Sequence, residues 1–131
     1  MKRKFVLAGA AFAAAVSLAS AAFAGAADYA FEPVKADIKK GEDVTVTVRL
    51  VHKPSGKPVS DAVIVQTRID MAPDGMAEMA TEIEQLSSTE PGVYRFKANL
   101  SMEGRWQLSL GAKVQGETGT VESRLVIKAT P

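Results

Sequence analysis

Asp43 to Val51 alternates cleanly, with Val44, Val46, Val48 and Leu50 on one side and Thr45, Thr47 and Arg49 on the other. A period of two predicts a half-buried β-strand. Lys53-Pro54-Ser55-Gly56-Lys57-Pro58 interrupts it and predicts a loop without regular structure. Ala62 to Met71 is the next predicted strand, with Val63, Val65, Ile69 and Met71 taken as its inward phase. Ala72-Pro73-Asp74-Gly75 follows as a turn: proline presets the first dihedral and glycine closes it. Met76 to Leu86 has no clear period and is compatible with either a strand or a short helix. After the loop ending at Pro91-Gly92, Tyr94, Phe96, Ala98 and Leu100 alternate against Arg95, Lys97 and Asn99. Ser101–Gly104 reads as a tight hairpin connection, and Trp106, Leu108, Leu110 and Ala112 continue the inward face. A last strand carries Val121, Ser123, Leu125 and Ile127. Tyr29–Ala36 adds an edge strand interrupted by Pro33.

About seven short antiparallel strands at regular spacing predict an all-β, immunoglobulin-like β-sandwich, with a Greek-key barrel as the alternative. No internal repeat, low-complexity tract or second domain is visible after the N-terminal segment.

That segment reads as a secretory signal. Met1-Lys2-Arg3-Lys4 is its basic end, Phe5–Ala19 its apolar stretch, and Ala22-Phe23-Ala24 or Ala24-Gly25-Ala26 its cleavage motif. The expected division is a signal peptide at 1–24 and one domain at 25–131, periplasmic, monomeric and free of the membrane after cleavage. Cleavage also changes the charge. Loss of Lys2, Arg3 and Lys4 from sixteen basic residues leaves thirteen against fifteen acidic ones, so the +1 of the whole chain becomes about −2. No basic patch stands out, which argues against nucleic acid as a partner. The absence of cysteine excludes disulfides and thiolate metal sites. With one histidine, no nucleophile elbow and no glycine-rich phosphate loop, catalysis is not expected.

The candidate chemistry lies in the methionines. Of the four beyond Met1, Met71, Met76 and Met79 fall within ten residues, and Met102 lies in a separate turn. Thioethers are soft ligands suited to Cu(I), although methionine also fills irregular gaps in cores. Strand counting puts Met71, Met76 and Met102 at one end of the sandwich. A four-residue turn makes Met71 and Met76 cross-strand partners. Met79 joins them only if its segment is helical or irregular, since three residues along a strand reverse the side-chain direction. Trp106 has an indole face that attracts cations, but filling the core is its simpler role. His52 belongs at the opposite end and reads as a surface residue. Asp70, Asp74, Glu78, Glu82 and Glu84 make the methionine region acidic, either a solvated face or an electrostatic attractor.

Gly56-Lys57-Pro58-Val59, Arg68-Ile69-Asp70-Met71 with Pro73-Asp74-Gly75-Met76, Pro91-Gly92-Val93-Tyr94 and Met102-Glu103-Gly104-Arg105-Trp106 occur in order over Pro54–Ile127. In this ordered set the chain resembles the YtkA-like, or FixH-like, family of small exported β-sandwich domains. The resemblance implies an accessory protein of copper or silver handling, working beside a periplasmic efflux-pump adaptor or a copper-assembly protein. Many relatives carry histidines in the loop equivalent to Met71–Met79. Here it has none, which leaves a thioether-only site for Cu(I) or Ag(I) formed by Met71, Met76 and Met102, joined by Met79 where the shape of its segment allows. The alternative is a metal-free interaction module that binds its partner through an exposed edge strand or the acidic loop.

Overall fold

The computed structural model describes residues 26–131. The signal-peptide reading of residues 1–24 lies outside the described residues. The elements are a 3-10 turn at Ala26–Asp28, then β1 (Tyr29–Pro33), β2 (Asp37–Lys39), β3 (Gly41–His52), β4 (Lys57–Pro58) and β5 (Val63–Met71). A second 3-10 turn at Ala72–Asp74 leads to β6 (Met76–Thr81), β7 (Ile83–Leu86), β8 (Val93–Leu100), β9 (Gly104–Lys113) and β10 (Thr120–Thr130). They form two five-stranded sheets. One runs β1-β3-β8-β7, with β4 added to β3, and the other runs β2-β10-β9-β5-β6. This is the immunoglobulin-like β-sandwich that the alternation predicts, built among the described residues from ten strands in place of the expected seven or so.

Two buried faces meet between the sheets. Val46, Val48 and Leu50 of β3 and Tyr94, Phe96, Ala98 and Leu100 of β8 face Ile69 and Met71 of β5, Trp106, Leu108, Leu110 and Ala112 of β9, and Val121, Ile127 and Ala129 of β10. Each fully buried large side chain contributes on the order of 1.5–3 kcal/mol. Their number lets a cysteine-free chain fold on packing.

The structure corrects several expectations. The first half of β5 has the opposite phase: Val63 and Val65 are exposed, whereas Ile64 packs against the core. A register shift between Ile64 and Gln66 against β9 inserts one extra residue and reverses the side chains upstream of it. Met76–Leu86 is neither one strand nor a helix. It is two strands, because the chain leaves one sheet after Thr81 and joins the other at Ile83. Ser101–Gly104 is not a hairpin connection, since β8 and β9 lie in different sheets and the segment arches over the sandwich. Alternation shows that both strands face the core but not from which side. Lys57–Pro58, within the expected loop, forms the two-residue β4 against Val51 and His52. Finally, β2 pairs parallel to β10, so the sandwich is not wholly antiparallel.

The two ends of the sandwich are each closed by contacts between loops. At the end holding His52, the Tyr94 hydroxyl donates to the Val59 carbonyl (2.7 Å) and accepts from the Ala62 N–H (3.2 Å). The Gly92 N–H donates to the Ser60 hydroxyl (2.8 Å). The other end holds the methionines.

Candidate metal centre

β5 ends at Met71 because Pro73 and Gly75 enforce a turn. Gly75 takes the left-handed conformation (φ 75°), and its N–H returns to the Ala72 carbonyl at 2.9 Å. Asp70 supports the turn from beneath. It is buried, and its carboxylate accepts the Ala72 N–H (2.9 Å) and the Arg68 Nε–H (2.7 Å). Across the turn Met71 and Met76 are register partners.

The arch between β8 and β9 closes onto this turn. Asp74 accepts the Arg105 backbone N–H and the Arg105 Nε–H, both at 2.8 Å, while Arg105 Nη2 donates to the Pro73 carbonyl at 2.8 Å. The Arg105 backbone N–H, then its guanidinium, hold the Asp74 carboxyl below its ordinary value of 3.8. Gly104 makes the approach possible. A Cβ there would lie 2.6 Å from Met71 Cε and 2.7 Å from Asp74 Oδ2, so the end of the Met71 side chain rests against the arch that carries Met102.

Met71, Met76 and Met102 therefore share one pole and differ in depth. Met71 is 1% exposed, Met76 is half-buried against the core, and Met102 is 40% exposed. Trp106 lies buried below, its indole N–H donating to the Met102 carbonyl at 3.0 Å. It serves as core and as an anchor of the arch. Met79 stands apart. Its segment is strand, and between the pairs Met71–Met76 and Asp70–Ala80 the residues Ala77, Glu78 and Met79 have no partner on β5. Met79 is 37% exposed on this bulge.

The donor set fits a soft monovalent ion. Among the described residues no three His, Cys, Asp or Glu side chains are grouped to hold a metal. Asp70 and Asp74, the carboxylates nearest Met71 in sequence, are occupied by Arg68 and Arg105. The thioethers at this pole are neutral and soft, which suits Cu(I) or Ag(I) and not Ca2+ or Mg2+. His52 is at the far pole, its ring 5.1 Å from that of Tyr29 and its Nδ1 2.7 Å from the Ser55 hydroxyl.

Sequence reasoning missed the pairing of Asp74 with Arg105 and the demand on Gly104. Both residues stand in the motifs singled out above, but nothing in a linear pattern announces that two turns 31 positions apart touch.

A family model described as YtkA-like matches residues 23–111. Among solved structures the Lin-41 filamin domain is similar, at 18% identity and a TM-score of 0.46, the alignment covering 79% of this chain and 92% of that domain. No curated protein matches.

Proposed function

Because this chain belongs to the YtkA-like family, we propose that it is a periplasmic accessory protein that holds Cu(I) or Ag(I) at the methionine pole and passes it to an efflux or assembly partner. The observation that supports this most is the meeting of two turns at one pole. The register pair Met71–Met76 lies on one turn, Met102 on the other, and the Met71 terminus rests against the arch at Gly104. Met71, Met76 and Met102 are the proposed ligands, with Met79 an exposed thioether that stands apart from them on the β6 bulge. Burial falls from Met71 through Met76 to Met102, so Met102 is the proposed ligand most open to solvent. Neutral thioethers need no deprotonation, so affinity stays flat from neutral to mildly acidic pH, where a histidine or thiolate site would lose metal.

The test is anaerobic Cu(I) titration against a competing chromophoric chelator. One tight equivalent is expected for the wild type, and none for the double variant Met71→Leu, Met76→Leu. Leucine nearly conserves volume, costing less than about 1.5 kcal/mol per site, so the variant should remain folded. Uptake by that variant at wild-type affinity would sink the assignment of these ligands.

A further inference from the structure

The sandwich has two open sides, and they are protected unequally. On one side β1 ends at Pro33, β2 is only three residues long, and Lys35, Lys39 and Lys40 surround it. Proline, lysine and short strands are the usual means of keeping an edge from pairing with another chain. On the other side β6 and β7 are the outermost strands of their sheets. From Met76 to Leu86 there is no proline and no lysine. Ala77, Glu78, Met79 and Ala80 of β6 are all exposed. A six-residue strand offers roughly 20 Å of open backbone edge.

The unpaired charges along this edge are of one sign. Beside it runs a groove of about 730 Å³ whose lining includes Asp43, Arg68, Glu82, Glu84 and Lys97. Its cations are already engaged: Arg68 with Asp70 (2.7 Å) and the Ala77 carbonyl (3.0 Å), Lys97 with Glu84 (3.5 Å). Asp43, Glu78 and Glu82 have no ion-pair partner among the described residues. Asp43 is held at the groove in a left-handed conformation (φ 53°), its N–H bonded to the Asn99 side chain at 2.9 Å.

We propose that β6 and its crossover to β7 form a docking edge for an extended, lysine- or arginine-bearing segment of a partner protein. The segment adds a strand to β6 by backbone pairing, and its basic side chains meet Asp43, Glu78 and Glu82. Backbone hydrogen bonds supply affinity in this mode and side chains supply selectivity. The acidic side chains also disfavour a second copy of this chain, because pairing β6 with β6 brings like charges together. A partner docked here lies next to Met76 and Met79, the start and middle of the same strand. The docking itself needs no metal, so it stands or falls separately from copper binding.

The test uses the metal-free protein and two synthetic peptides, one alternating valine with lysine and one alternating valine with glutamate, followed by backbone amide NMR. The lysine peptide should bind at least tenfold more tightly and shift the amide signals of residues 76–86. The double variant Glu78→Lys, Glu82→Lys should reverse that preference. Both side chains are exposed and in no ion pair, so the fold should survive. Ala77→Pro removes a backbone donor from a residue with no register partner on β5, and should weaken the lysine peptide at least tenfold. Equal binding of both peptides, shifts confined to other strands, or concentration-dependent self-association through residues 76–86 would each overturn the proposal.

Discussion

At the methionine pole two turns are joined by a charged contact, Asp74 with Arg105, over a flexible thioether. At the His52 pole the corresponding loops are joined by neutral groups, the Tyr94 hydroxyl and the Gly92 N–H, over a rigid proline. Each pole has a glycine that cannot grow. A Cβ on Gly92 would overlap the Pro58 side chain and lie 3.0 Å from its Cα and 3.1 Å from Val59 N, all parts that cannot swing aside. A Cβ on Gly104 would meet the far end of Met71, which can, and the carboxylate of Asp74, which Arg105 holds in place. One pole thus closes over rigid parts and the other over the movable end of Met71, a freedom that the proposed ion site would need in order to load and release.

The sharpest way to break this contrast is to fill both glycines. Gly92→Ala should destabilise by about 3 kcal/mol or more, because a positive φ and a backbone obstacle act together. Gly104→Ala should also cost about 3 kcal/mol or more, because its φ of 138° lies where essentially only glycine is found, even though the end of Met71 can move. Urea denaturation of the two variants measures both, and a cost below about 1 kcal/mol for either would remove that glycine from the account.

A smaller effect tests the neutral pole alone. Tyr94→Phe leaves the Val59 carbonyl and the Ala62 N–H without their partner, which should cost about 1–2 kcal/mol. Thermal unfolding with no change in midpoint would mean that the hydroxyl does not hold these loops.

The smallest effect tests the charged pole through pH. Arg105 lowers the Asp74 carboxyl in the native protein, so the unfolded chain takes up the proton first as pH falls. The stabilisation is therefore complete above about pH 4 and is lost as pH drops through the native value. The melting difference between wild type and Asp74→Asn should be constant from neutral pH down to about pH 4, then shrink. A difference independent of pH throughout would remove the ionised carboxylate from the account.

Legibility followed the length of unbroken register. In β3, β8, β9 and β10 long alternations on packed faces placed Val46, Phe96, Leu108 and Ile127 correctly, because each inward residue meets the other sheet at a fixed period. In β5 a single inserted residue near Val65 reversed the phase, and the backbone bulge left no mark in composition. The segment Met76–Leu86 lacked a period because its two halves serve different sheets. β2 and β4, of three and two residues, were too short to alternate at all.

For the candidate site, local chemistry was enough to place Met71 and Met76 opposite each other, since Ala72-Pro73-Asp74-Gly75 dictates its own turn. Strand direction was enough to bring Met102 to the same end. The depth of each sulfur, the bulge that exposes Met79, the contact of Met71 with Gly104 and the bond from Asp74 to Arg105 were decided only by tertiary structure. Turn and strand preferences act over a few neighbouring residues and are written in the chain. The closing of an arch from one sheet onto a turn of the other depends on how two sheets stack, and no local pattern carries that distance.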